Sequence, residues 1–214
     1  MIIKNFNYKC VNSTNDIAIN LIKKKNIRVG FVLAEKQKKG RGQRGKKWVS
    51  YKGNLFVSIF FSLNKINLTL KQLTKFNANL VIKLISQYYK KKIKLKSPND
   101  IIVNKKKICG ILQETVKKNN IQYLIVGIGL NLVNSPQINK YPTTSLYDLT
   151  NSKISVNKLL SPPLSRILVN LEINFKALIS GLISLILGLL RLPIIIISLN
   201  PIFFNLLSSV TIFP

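Results

Sequence analysis

From residue 13 to residue 25 the chain reads STNDIAINLIKKK, and its apolar positions Ile17, Ala18, Leu21 and Ile22 recur at the spacing of one helix face. Ser13 and Asn15 stand where capping side chains are favoured, and three lysines gather in the last turn, where the helix dipole favours positive charge. The pattern predicts a helix there. A longer stripe within 68–89, Leu73, Phe76, Leu80 and Leu84 with Val81 and Ile85 beside them, predicts a helix with one buried face. IRVGFVLAE (27–35) and NLFVSIFFSL (54–63) are rich in β-branched and aromatic residues and short enough for strands. SPNDIIVNKKKICGILQETV (97–116) predicts a hairpin turning near Asn104 and Lys105, and NIQYLIVGIGLNLV (120–133) a further strand across a KKNN turn. Short turns between some strands and helices between others imply an α+β domain with a mixed, largely antiparallel sheet and helices on one face.

The patterning fails past about residue 160. Of 34 basic residues only Arg166, Lys176 and Arg191 lie beyond that point, and of six acids only Glu172. Residues 177–190 form an uncharged run of 14, short of the roughly 20 needed to span a bilayer. A domain over 1–176 followed by an atypical apolar tail over 177–214 is the expected organisation. The tail reads as a membrane anchor, as a packed apolar segment, or as translation out of frame after a lesion in the gene; the abrupt loss of lysine favours the last.

Charge changes the picture next. A formal +28 attracts polyanions such as nucleic acid, nucleotides, acidic partners or an anionic membrane. The chain is equally rich in Ile, Asn and Lys, as AT-rich coding would produce, so compositional drift accounts for the charge as well as a partner does. No histidine is present, which excludes His-based triads, His general bases and His metal ligands. Two cysteines, Cys10 and Cys109, form neither a CxxC nor a paired framework, in keeping with a reducing compartment. The start, MIIKNFNYKC, lacks the apolar run of a secretory signal, and a cytoplasmic location is expected.

Four short stretches carry candidate chemistry. In KGRGQRGKKW (39–48), Gly40, Gly42 and Gly45 alternate with five cationic side chains. Such a loop can press backbone N–H groups and charged donors against an anion, though a solvated basic patch would look the same. KSPND (96–100) puts Asn99 and Asp100 on a turn at the mouth of a strand, where Asp100 is suited to Mg²⁺, a ribose or a neutralising cation. KICGILQE (107–114) places Lys107 on the returning arm of the hairpin, within reach of Asp100, and Gly110 where a flat group can approach; a hairpin with a solvated lysine turn is the plain alternative. GIGLN (127–131) ends an apolar strand with two glycines and Asn131, which clear space for a ligand or for a packed helix.

Taken in order, STND, GRGQRGKKW, KSPND with KICGIL, and GIGLN resemble the catalytic domain of the biotin protein ligases (biotin–[acetyl-CoA-carboxylase] ligases) over roughly residues 8–176. The resemblance implies the biotin and lipoate ligase fold, related to class II aminoacyl-tRNA synthetases. It also implies a reaction: biotin and Mg·ATP form biotinyl-AMP, which passes biotin to a lysine of a biotin carboxyl carrier domain. It gives Ser13, Thr14 and Asn15 the ureido ring of biotin. Gln37, Gly40, Arg41, Gly42 and Gln43 match residues that line the biotin carboxylate and fold over the adenylate. Arg44, Lys46 and Trp48 match contacts to phosphate and the adenine side, Asn99 and Asp100 the nucleotide and magnesium region, and Asn131 a nucleotide contact. Lys107 matches the lysine between carboxylate and α-phosphate and, with Arg41, is the catalytic candidate; Gly110 lies beneath biotin. No dedicated set of metal ligands follows from the motifs.

Two positions depart from the family pattern. Gln43 stands where arginine is common, which implies a leakier adenylate, and Ser97 where tryptophan is common, which implies a looser hairpin. The tail shows neither the glycine turns nor the alternating strands of the SH3-like barrel that usually follows the catalytic domain. A decayed ligase with an apolar, membrane-associated tail is therefore the main alternative. A lipoate ligase is disfavoured by the missing RRxxGGGxVxHD-type signature, and a nucleic-acid-binding protein would not explain the spaced motifs. With STND at position 13 no room is expected for a DNA-binding repressor domain; a homodimer stays open.

Overall fold

The computed structural model describes residues 4–160 apart from 65, 67 and 140, so the apolar tail and its boundary at 176 lie outside the described residues. Seven strands form one sheet: β1 (Lys4–Tyr8), β2 (Gly30–Ala34), β3 (Leu55–Ser62), β4 (Ile93–Lys96), β5 (Asp100–Val103), β6 (Lys106–Lys118) and β7 (Ile121–Leu130). Their spatial order is β1-β2-β3-β7-β6-β5-β4. Only β1 and β2 run parallel; every other neighbouring pair is antiparallel. The helices are α1 (Thr14–Lys25), α2 (Leu70–Ser86), α3 (Leu146–Thr150) and α4 (Val156–Leu159). None among the described residues is long and apolar enough to cross a membrane.

The mixed, largely antiparallel sheet agrees with the sequence pattern, while the helices divide between its faces. On β2 and β7, Phe31, Leu124 and Val126 point into a cluster with Leu73, Ala78, Val81, Leu84 and Ile85 of α2, which also takes in Leu146 and Leu159 of α3 and α4. Their neighbours Val32, Tyr123 and Ile125, with Phe60 of β3, point the other way onto Ala18, Leu21 and Ile22 of α1. The single-face arrangement expected from the sequence thus holds for α2, α3 and α4, and α1 covers the opposite face. The reason is visible in β3, which is buried from Leu55 to Phe61 without alternation: a continuous apolar strand needs cover on both sides.

Local chemistry sets the element ends. Thr69 and Gln72 form a reciprocal capping box at the start of α2. Ser13 occupies the N-cap position of α1 but makes no side-chain cap bond. At the other end of α1, Asn26 takes a left-handed conformation (φ 54°), and Lys118 Nζ of β6 reaches the carbonyls of Ile22 and Lys23 and the Asn26 side chain. Asn104 and Lys105 (φ 48° and 64°) turn the β5–β6 hairpin, and Asn119 and Asn120 (φ 46° and 57°) turn β6 into β7. Positive φ at both central residues is the turn that matches strand twist. Both edge strands, β1 and β4, are additions to the elements read from the sequence.

Candidate functional site

Beyond the end of α1, three glycines leave that face of the sheet without side chains of its own. Gly110 of β6 lies opposite Gly129 of β7, and Leu112 opposite Gly127. A Cβ on Gly110 would sit 2.7 Å from the Trp48 ring; one on Gly129 would collide with the same ring, and one on Gly127 with the Asn15 amide. These positions therefore need glycine because other side chains lie directly on the backbone.

A β-bulge brings Lys107 to this floor. Residues three apart on a regular strand point to opposite faces, yet the pairing shifts between Ile101, opposite Cys109, and Ile102, opposite Lys107. Ile108 and Cys109 consequently both enter the core, and Lys107 joins Gly110 on the cleft side. The backbone of Lys107 is pinned as well, its N–H donating to Pro142 O at 2.9 Å and its carbonyl accepting from Thr144 N–H at 2.9 Å. Its ammonium contacts Asp100 Oδ1 at 2.8 Å and stands 5.3 Å from the centre of the Trp48 ring and 5.4 Å from that of Tyr141. Its side chain is only 16% exposed. Burial pushes the adjacent Cys109 thiol far above its ordinary range, which leaves it inert.

The first turn of α1 supplies polar groups at one end of the floor. Ser13, Thr14 and Asn15 are all buried. Gln37 Oε1 accepts from the Thr14 N–H at 2.8 Å and from its hydroxyl at 3.1 Å, and Gln37 Nε2 donates to Ser50 at 3.2 Å. Ser58 of β3 lies within hydrogen-bonding reach of Thr14 Oγ1 and Asn15 Oδ1. Asn15 Nδ2 donates to Glu114 Oε2 at 2.7 Å.

The glycine loop folds over this floor as a small hairpin. Trp48 N–H donates to Gly40 O at 2.8 Å, Arg41 pairs with Lys47, and Gly42 N–H donates to Lys46 O at 2.7 Å. At the tip, Arg44 and Gly45 both have positive φ (54° and 73°). Arg44, Lys46 and Lys47 are exposed along the cleft, whereas the Trp48 ring turns inward and its Nε1 is buried without a partner. Arg41 is held by Glu114 and Asp16. Burial alone would lower the pKa of its guanidinium, but the hydrogen bond and charge of Glu114, then those of Asp16, raise it on balance.

The cleft so formed has a volume of about 740 Å³. Of the residues singled out from the sequence, Ser13, Thr14, Asn15, Gln37, Arg41, Gly42, Gln43, Arg44, Lys46, Trp48, Asn99, Asp100, Lys107 and Gly110 all line it. Two do not. Gly40 is buried at the loop neck, where a Cβ would meet Trp48 O at 2.5 Å, so it sets the loop's closure. Asn131 donates to Thr144 O at 3.1 Å behind the cleft and borders a small adjoining pocket with Trp48, Lys107 and Tyr141, its Oδ1 unpartnered. Asn99 lines the cleft, but its amide donates to Ile111 O at 2.8 Å and ties the turn to β6. Sequence reading passed over Asp16, Ser58, Glu114 and Tyr141, whose partners lie too far along the chain for spacing to reveal; the scarcity of acids was the one available signal.

Residues 8–131, more than half of the chain, match the model of the Biotin/lipoate A/B protein ligase family. The bifunctional ligase/repressor BirA of Bacillus subtilis is 33% identical over 132 residues, 58% of this chain and 40% of that protein. A biotin–[acetyl-CoA-carboxylase] ligase of Paracoccus denitrificans is 32% identical over 109 residues, 50% of this chain and 45% of that protein. The chain thus spans less than half the length of these curated relatives. Among solved structures, the biotin protein ligase of Aquifex aeolicus in complex with biotin and ATP superposes with a TM-score of 0.66 at 30% identity, covering 81% of this chain and 72% of that one. By its motifs, its sheet and this match, the chain belongs to the biotin/lipoate A/B protein ligase family.

Proposed function

We propose that the protein activates biotin with ATP and transfers it to a lysine of a biotin carboxyl carrier domain, in the cytoplasm, through biotinyl-AMP. The observation that carries this reading is the Lys107 ammonium, held by Asp100 beside a glycine floor on which only the Trp48 ring and the Asn15 amide lie, with basic loop residues along the rim. It is supported by the A. aeolicus relative, whose complex holds biotin and ATP.

The half-reaction it serves joins two anions. A carboxylate oxygen of biotin attacks the α-phosphorus, the bond from that phosphorus to the bridging oxygen breaks, and pyrophosphate leaves. Lys107 lies where one cation can face both the carboxylate and the α-phosphate, and Asp100 fixes its direction. A fixed charge of this kind acts mainly by electrostatic preorganisation and requires neither histidine nor a covalent enzyme intermediate. Ser13, Thr14 and Asn15 present buried polar atoms to the ureido ring, Gln37 lies toward the biotin carboxylate, Gly110 makes room beneath biotin, and Arg44 and Lys46 meet the phosphates. Trp48 covers the floor in this structure and swings out to lie beside the adenine, with Asn131 behind it. The closed loop then keeps water from the mixed anhydride until the carrier ε-amine attacks the acyl carbon, loses a proton and displaces AMP.

Magnesium fits this site in a limited way. Among the described residues no three His, Cys, Asp or Glu side chains converge, and only one Asp100 oxygen is engaged by Lys107. Magnesium brought by a triphosphate commonly takes one or two carboxylates, so Asp100 is the residue that would hold it. The ion would neutralise phosphate charge.

Incubating the full chain with Mg·ATP, biotin and a purified carrier domain tests the reading. Avidin-detectable carrier and stoichiometric AMP are expected. Labelling that requires lipoate in place of biotin would overturn it.

A further inference from the structure

One side chain ties the loop to the body of the protein. Arg41 donates from Nη1 to Glu114 Oε1 and from Nη2 to Glu114 Oε2, both at 2.7 Å, while Nη2 also contacts Asp16 Oδ1 at 2.8 Å. Such a bidentate fork fixes both the direction and the plane of the guanidinium. Glu114 Oε2 in addition accepts from Asn15 Nδ2 at 2.7 Å. A single carboxylate on β6 therefore touches the loop neck and the first turn of α1, the two places where the resemblance puts the carboxylate end and the ureido end of biotin. Charge points the same way. One guanidinium faces two carboxylates, so the cluster is net negative and does not by itself draw in an anion.

We infer that Glu114, assisted by Asp16, is a positioning residue for biotin binding: it holds the Arg41 loop neck and the Asn15 amide as one unit, so that both ends of the site are set together. The inference rests on the biotin-ligase reading and separates from a direct role for Arg41 by sign. If Arg41 were chiefly an anion clamp, removing the Glu114 charge would free it and tighten biotin binding. A positioning role weakens binding instead.

The test uses the full chain and Glu114→Gln, which keeps one acceptor oxygen so that either Arg41 or Asn15 loses its partner. The biotin KM in ATP–pyrophosphate exchange is expected to rise by about tenfold or more, the scale of one lost charge-assisted hydrogen bond. The value of kcat at saturating biotin should change far less, as when binding common to ground and transition states is removed. Acrylamide quenching of Trp48, the sole tryptophan, should increase in the ligand-free protein. Glu114→Asp should restore part of both effects, and Asp16→Asn should move both in the same direction by less. A biotin KM that falls or stays put, or a loss confined to kcat, overturns the inference. If Glu114→Gln does not fold, Asp16→Asn is judged by the same outcomes. Parent protein without exchange sinks the ligase reading and the role in biotin binding with it, while unchanged quenching in the variants sinks the clamp itself.

Discussion

Gly127 and Asn15 show how closely the site is built at the level of single atoms. The amide of Asn15 occupies the space of a Gly127 side chain, is met from below by Ser58 and is drawn sideways by Glu114. Adding one methyl at position 127 must therefore move Asn15, and with it the polar end of the cleft. Gly127→Ala is predicted to raise the biotin KM at least tenfold, on the scale of one displaced hydrogen-bonding group, while the ATP KM changes little; a titration of both substrates by pyrophosphate exchange checks this, and equal changes in the two would contradict it. At this scale the sequence was legible where residues are adjacent, as in Thr14 and Asn15 or Asn99 and Asp100. It was not legible for Glu114, which meets Arg41 across 73 residues and Asn15 across 99. Asn131 shows the converse: GIGLN singled it out, but its burial behind the cleft was not visible from spacing.

Among the elements, the β5–β6 hairpin does most to assemble the site. Its turn is paid for in strain, because Lys105 is exposed and carries φ 64°, a conformation that L side chains disfavour by about 1–2 kcal/mol. Lys105→Gly is predicted to raise the urea unfolding midpoint, through a gain in unfolding free energy of about 0.5–1 kcal/mol once the greater freedom of glycine in the unfolded chain is subtracted. A lower midpoint would show that the turn is stabilised by a lysine contact instead. The turn position was readable from the polar break in an apolar run. The bulge was not, since KICGIL gives no sign that Ile108 and Cys109 both turn inward, and it is the bulge that sets Lys107 on the same side as Gly110. Edge strand β4 carries the alternation IKLK, and β1 offers little beyond Phe6, so each is specified mainly by the neighbour that pairs with it. The uninterrupted burial of β3 was the clue that both faces of the sheet are covered.

Over the whole molecule, charge is distributed against the average. Six acids serve a chain with a formal charge of +28, yet Asp16, Asp100 and Glu114 all meet the two catalytic candidates, Arg41 and Lys107. Half of the six acids thus aim those two cations, and the surplus of positive charge remains as a field around the molecule. That field should draw in Mg·ATP more than singly charged biotin. Raising ionic strength from about 0.1 to 1 M, which shortens the screening length from about 10 to 3 Å, is predicted to raise the ATP KM more than the biotin KM; equal responses would assign the field no part in substrate capture. The central claim is that Lys107 and its floor form an adenylation site, and biotin-dependent exchange of pyrophosphate into ATP, by the full chain and by Lys107→Ala, tests it most directly. Exchange in the parent that is lost by a factor of about a hundred or more in the folded variant is the predicted result, the scale of removing one preorganised electrostatic contact. Exchange undiminished by the substitution, or absent from a folded parent, would contradict it.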